Sequence, residues 1–244
     1  MSGAAGDRVP GRADRPLAGA LALLRADAPS QIDGTPAAWP HWAVLLPHVL
    51  AATGHLDHPA GHPGPVMNDA AWLLDRAASY LGVRAQPAEA RLLQERALAI
   101  DEAAYGPDHP TVATRLNNLA QILQDLGQPA EARPLQERAL AIYEAAYGPD
   151  APEVAIDLNN LATILQDLGQ PADARPLQER ALAITEAAYG PDHPTVATRL
   201  NNLAAILLDL GQPAEARPLQ ERAQAIIEAS RSARQGSPDG EKDT

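Results

Sequence analysis

From residue 106 onward the apolar positions fall into a pattern that the chain writes more than once. Between residues 110 and 126, Leu116, Leu119, Ala120, Leu123 and Leu126 mark one apolar face. On a wheel of about 100° per residue these lie within roughly 120° of one another. Thr114, Asn117, Gln121, Gln124 and Asp125 lie opposite. A wide apolar stripe with one polar face predicts an amphipathic helix. Residues 129–147 predict a second helix, with Ala132, Leu135, Ala139, Ile142 and Tyr143 on one face and Arg133, Glu137 and Glu144 pointing away. Between them, Gly127 can take the left-handed cap conformation and Pro129 opens the next helix. Pro134 lies just past that helix's first turn, where it costs at most about one backbone hydrogen bond. Asp108, ahead of Pro110, is the expected N-cap.

The pattern then returns, and Gly127, Gly169 and Gly211 stand 42 residues apart. An incomplete copy precedes it: Leu74, Ala78 and Leu81 fall where Leu116, Ala120 and Leu123 do. The expected hairpins are 67–105, 106–147, 148–189 and 190–231. One such hairpin cannot bury its own apolar face, so the copies must stack. Small Ala120, Ala132 and Ala139 let paired helices approach closely, and Tyr105, Tyr147 and Tyr189 are expected to wedge into the following repeat. Ala151 stands where His109 and His193 do, so both histidines are expected at the surface.

Ahead of the array, Pro16–Asp27 predicts a helix and Ala28–Pro36 a loop. Trp39–Ala52 predicts a second helix that Pro47 should bend or split. Its expected buried side is Trp39, Trp42, Leu45, Leu46 and Leu50. Leu17–Leu24 after Arg12 and Arg15 imitates a short signal peptide, but Arg25 directly behind it favours a small amphipathic helix. The Gly54–Pro65 loop holds His55, His58 and His62. Their loose spacing, with no evident fourth ligand beyond Asp57, favours a solvated connector over a zinc site. The resulting plan is a disordered 1–15, a helical segment with its loop over 16–65, the array over 66–231, and a disordered tail over 232–244.

Composition narrows the function. The 244 residues carry a net charge of −12, which disfavours phosphate-backbone binding. Cysteine is absent and the only lysine is Lys242. No thiolate nucleophile, cysteine-based metal site or Gly-Lys-Ser/Thr phosphate loop is possible in this chain. No cofactor or metal is expected. Asp and Glu are plentiful but are expected on solvated faces or caps, so no catalytic pair is expected. No apolar run reaches the roughly 18 residues of a membrane span, and a cytoplasmic location is expected.

The runs L-N-N-L-A, D-L-G, P-A-E-A-R-P-L and E-R-A-L-A-I, closed by Y-G-P-D-H-P, resemble tetratricopeptide repeats of the long, kinesin-light-chain-like type. The resemblance covers roughly 67–231. It implies an all-α fold: a right-handed superhelical solenoid of antiparallel helix hairpins, preceded here by a short helical N-terminal segment. That segment (W-P-H-W-A-V-L-L-P-H-V-L-A-A) resembles the helical arm before such repeats in bacterial STAND-type signalling NTPases. The nucleotide-binding loop is missing, so ATPase activity does not carry over.

In tetratricopeptide arrays the first helices line a groove that takes an extended peptide or a helix. The resemblance places that groove here at Thr114, Asn117, Asn118, Gln121, Gln124 and Asp125. The following copies contribute Asn159, Asn160, Thr163, Gln166 and Asp167, then Thr198, Asn201, Asn202, Ala205, Leu208 and Asp209. Asparagine inside a helix costs about 0.7 kcal/mol against alanine, so the paired asparagines need a reason. Either they offer amides to a peptide backbone, or they bond between neighbouring repeats. Carboxylate-clamping relatives carry Lys and Arg in the groove; this chain carries Asn, Gln and Asp, so neutral or basic ligands are expected. Gln121 and Gln124 become Ala205 and Leu208 in the last copy, which could form an apolar anchor beside Asn201. Leu140 and Leu182 become Gln224, and Tyr147 and Tyr189 become Arg231, a change that suits an end cap. The function expected is a non-catalytic protein- or peptide-binding scaffold, the detached sensor of a STAND-type regulator. The alternative is a receptor for a small signalling peptide or metabolite.

Overall fold

The computed structural model describes residues 14–32, 34–54, 56 and 64–235. The expected disorder of residues 1–13 and 236–244, and the loop histidines His55, His58 and His62, lie outside the described residues. The chain divides into two compact units, 1–128 and 129–244. All regular structure among the described residues is helical.

The first unit holds α1 (Asp14–Asp27), a short 3₁₀ turn (Pro36–Ala38), α2 (Trp39–Thr53), α3 (Gly64–Val83), α4 (Pro87–Tyr105) and α5 (Pro110–Asp125). α3 pairs with α4, α4 packs on α5, and α1 and α2 lean on α3. Pro47 does not split α2, which runs unbroken. The buried side of α2 is Trp42, Leu45 and Val49, while Leu50 stays 39% exposed. The helix is therefore rotated slightly from the expected face, because Trp42 is fixed twice. Its Nε1 donates to the Pro29 carbonyl at 3.0 Å and its ring stacks on Tyr80 at 6.3 Å. Leu21, Trp42, Leu73, Leu74 and Ile100 join one core. Fully burying each such side chain contributes about 1.5–3 kcal/mol.

The second unit holds α6 (Pro129–Tyr147), α7 (Pro152–Asp167), α8 (Pro171–Tyr189), α9 (Pro194–Asp209) and α10 (Pro213–Gln235). Neighbours pack in order along the chain. The turns are short, so contacting neighbours run antiparallel. Leu140 packs against the Val154/Leu158 cluster and also against the Leu161/Leu165 cluster. Leu182 serves the next pair of clusters in the same way. One leucine per repeat thus joins two layers. Pro134, Pro176 and Pro218 sit inside continuous helices, near their first turns. Helix α10 continues through Gln235, past residue 231 where the sequence pattern places the start of the tail. Nothing between Arg231 and Gln235 breaks a helix, and the first glycine is Gly236.

Gly127, Gly169 and Gly211 take φ of 70°, 70° and 73°, the left-handed values that end each first helix. Two local expectations are corrected. The N-cap of α5 is His109, whose Nδ1 accepts from the Thr111 amide at 3.2 Å, and not Asp108. His193 caps α9 in the same way, whereas Ala151 leaves α7 without a side-chain cap. The terminal tyrosines do not wedge into a neighbouring repeat. Tyr105, Tyr147 and Tyr189 are exposed. Tyr105 stacks on His109 at 4.8 Å, Tyr189 on His193 at 5.0 Å and Tyr147 on Tyr143 at 5.6 Å.

Candidate peptide-binding groove

Apolar burial turns the polar stripe of α5 outward in the first unit, and the stripes of α7 and α9 outward in the second. Thr114 and Gln121 are exposed, while Asn117, Asn118 and Gln124 are half-buried. Thr163, Asn201, Ala205 and Leu208 are exposed, while Asn159, Asn160, Gln166 and Asn202 are half-buried. The expected residues therefore divide into an outward row and a row turned toward the neighbouring first helix.

The inward row carries bonds between repeats. Asn202 Nδ2 donates to Asn159 Oδ1 at 2.7 Å. In the first unit Asn118 Nδ2 donates to Asp75 Oδ1 at 2.9 Å. Asp75 stands at the register position of Asn117, Asn159 and Asn201, so the two bonds are one contact repeated. Gln166 Nε2 donates to Asp209 Oδ2 at 2.8 Å across the same interface. Gln121 turns within its own helix to Asp125 Oδ1, at 3.1 Å. Thr114 and Thr163 hydroxyls donate to carbonyls one turn back, those of Pro110 and Asn159.

Leu208 is 47% exposed. The cleft that contains Asn201 is lined by Gln220, Glu221, Gln224 and Glu228 of α10, so Leu208 and Asn201 do not meet in one pocket. A cleft of about 340 Å³ lies in the first unit. It runs between α3 and α5 over a floor of Gln94, and Asn118, Gln121 and Asp125 line one side.

A buried ionic cluster behind this face was not read from the sequence. Asp75 and Asp101 are 1% and 2% exposed, which corrects the expectation that the acids sit on solvated faces and caps. Arg115 joins them: Nη1 lies 2.6 Å from Asp75 Oδ1, and Nε donates to Asp101 Oδ2 at 2.7 Å. Arg76 adds a bond to Asp75 Oδ2 at 2.6 Å. Burial pushes the Asp75 carboxyl up, but Arg115 and Arg76 outweigh it and hold it below the ordinary carboxylate range. At Asp101 burial prevails over Arg115 and leaves the carboxyl raised. Burial pulls Arg115 down, and the two aspartates more than restore it. Arg199 sits at the register position of Arg115 in α9, and Asn159 and Thr185 stand where Asp75 and Asp101 do. Arg199 is 8% exposed, and its Nε has no hydrogen-bond partner among the described residues. Burial alone lowers its pKa. The signal was present in the sequence: at the two register positions that face Arg115, acids replace the Asn of the other copies (Asn117, Asn159, Asn201) and their uncharged Tyr143, Thr185 and Ile227.

The described residues contain no group of three or more His, Cys, Asp or Glu side chains able to hold a metal ion. No helix among them is long and apolar enough to cross a membrane.

No curated protein matches the chain significantly by sequence. A kinesin-light-chain-type Podosopora anserina protein with nearly identical TPR-like repeats is similar in structure. It shows TM-score 0.66 and 24% identity over 91% of this chain and 98% of that one. BtubC (BKLC) from P. vanneervenii aligns with TM-score 0.63 and 20% identity, over 96% of each chain. MamA aligns with TM-score 0.57 and 12% identity, over 78% of this chain and 91% of that one. These likenesses show the fold, an array of consecutive helix pairs. The tetratricopeptide repeat model matches residues 69–145, 114–175 and 153–229, and the chain belongs to the tetratricopeptide repeat family.

Proposed function

We propose that the chain is a non-catalytic scaffold that binds an extended segment of a partner protein along the polar faces of its first helices. One observation carries this reading. Gln121, Thr163 and Ala205 stand at one register position of successive repeats, and all three are exposed. The inward amides brace the face, and the outward row is left to meet a ligand. Thr114 and Gln121 serve in the first unit, with the half-buried Gln124 at their edge; Thr163, Asn201, Ala205 and Leu208 serve in the second. Asn117, Asn118, Asn159, Asn160, Gln166 and Asn202 hold that surface in shape and present whatever amide valence remains. The face is acidic or neutral, which favours a neutral or basic segment. A captured segment that binds more tightly in an acidic version than in its charge-reversed version would overturn this preference.

The same reading extends to α1 and α2 as the helical arm of a STAND-type regulator, with the array as its sensor and a cytoplasmic setting. Co-purification with a nucleotide-binding subunit tests that; exclusive capture of unrelated proteins counts against it. A second reading, a receptor for a small signalling peptide or metabolite, is favoured by the α3/α5 cleft, whose volume is at the lower end for ligand pockets. A small ligand that raises the melting temperature with no protein partner present would support it.

A further inference from the structure

Taking the groove to bind an extended segment, we infer that the cleft between α3 and α5 receives a lysine or arginine side chain of that segment. The cleft exists because of a local departure from the repeat. In the second unit Gln166, near the end of α7, reaches across to Asp209 at the end of α9. The first unit has Gly82 at the position of Gln166 and Asp125 at that of Asp209. Gly82 has no side chain to send, so Asp125 lacks the amide that Asp209 receives. Asp125 takes one bond, from Gln121 to Oδ1, and meets no cation among the described residues. The gap left by the missing glutamine is the cleft.

Its chemistry suits a long cationic side chain. Ala78, Val83 and Ile122 form apolar walls along which an alkyl stem can lie. Gln94 forms the floor, and its Nε2 is committed to the Arg115 carbonyl at 3.3 Å. Its Oε1 is an acceptor. The Asp125 carboxylate stands at one end. Helix α3 ends at Val83 and α5 at Asp125, and both end residues line the cleft, so two helix C-termini, each partly negative, border it. No Lys or Arg lines the cleft. The one charged group in the lining is Asp125, so a carboxylate ligand would face like charge with only amide and hydroxyl dipoles to offset it, and a purely apolar one would leave the Gln94 and Asp125 acceptors dry.

The test uses the full chain and a library of short, capped peptides with randomised positions, selected on immobilised protein. Gly82→Gln is the decisive variant. A Cβ at Gly82 meets nothing within 4 Å, and glutamine is the better helix former, so folding is preserved while the cleft is filled as in the second unit. Asp125→Asn removes the charge and keeps the shape. The wild-type chain is expected to enrich peptides with Lys or Arg at one fixed register. Replacing that residue by norleucine should weaken binding about tenfold, the worth of one charged hydrogen bond. Both variants should lose that preference. Peptides enriched without a fixed cation, or with the same cation on Gly82→Gln, overturn the pocket and leave the groove standing. Failure to enrich any peptide overturns pocket and groove together.

Discussion

Arg115 and Arg199 occupy one position of the repeat, yet their replacement should act in opposite directions. Consider methionine, which keeps much of the length and removes the charge. At Arg115 the change strips Asp101 of its cation and Asp75 of one of two, with both side chains at most 3% exposed. Breaking a buried pair by removing one partner costs about 3–5 kcal/mol, because the remaining charge is left uncompensated. For a chain of this size 1 kcal/mol moves the melting temperature by about 2–4 °C, so a drop of roughly 6–20 °C is expected. At Arg199 there is no ion pair to break among the described residues. Methionine there removes a desolvated guanidinium and fills the space with apolar atoms, so Arg199→Met should be neutral or stabilising, by about 1 kcal/mol. Thermal and urea unfolding followed by circular dichroism measure both, and hydrogen exchange locates the loss, which should fall on α3–α5 for Arg115→Met. Equal destabilisation by the two variants would refute the reasoning, since the position itself and not its partners would then set the cost.

Three further expectations follow from the same geometry. Thr185→Asp places a carboxylate where Asp101 stands beside Arg115, and should raise stability about 1 kcal/mol above that of Thr185→Asn, a gain that vanishes in the Arg199→Met background. Asp75 has a folded pKa below its unfolded value, so its stabilisation is complete above the ordinary aspartate value near 4 and is lost as pH falls through the folded value. Asp75→Asn should therefore be less stable at neutral pH and show a shallower acid limb in a melting-temperature profile between about pH 2 and 5. Ala151→Ser gives α7 the side-chain cap that His109 and His193 give α5 and α9, and should gain about 0.5–1 kcal/mol with slower exchange in the first turn of α7.

How far the sequence could be read depends on the range of the interaction. Helix ends are local: Gly127, Gly169 and Gly211 mark left-handed caps by themselves, and the apolar stripe of Leu116, Leu119, Ala120 and Leu123 is the buried one. Ties between distant segments were harder to see. Leu50 and Val49 are equally apolar, and the ties of Trp42 to Pro29 and Tyr80 go with Val49 facing inward. Asp75 and Asp101 look solvated until α3, α4 and α5 close around Arg115. The polar face was legible as a face, but its division was not. Asn159 and Asn202 share a bond that a helical wheel cannot show, because the partners lie 43 residues apart. His109 escaped notice as a cap because its role depends on a backbone φ of −80° and a ring turned back toward Thr111.

The central claim is that the outward row of the first helices holds a partner segment. Affinity capture from native lysate should be run in parallel on the wild-type chain, on Thr163→Arg and on Arg217→Glu. Thr163 is in the outward row of α7, and Arg217 is an exposed α10 residue whose ion pair with Glu221 contributes little to stability. The account predicts a stoichiometric partner on the wild-type chain, retained by Arg217→Glu and lost by Thr163→Arg with its melting temperature unchanged. A partner that survives Thr163→Arg and is lost by Arg217→Glu would contradict it.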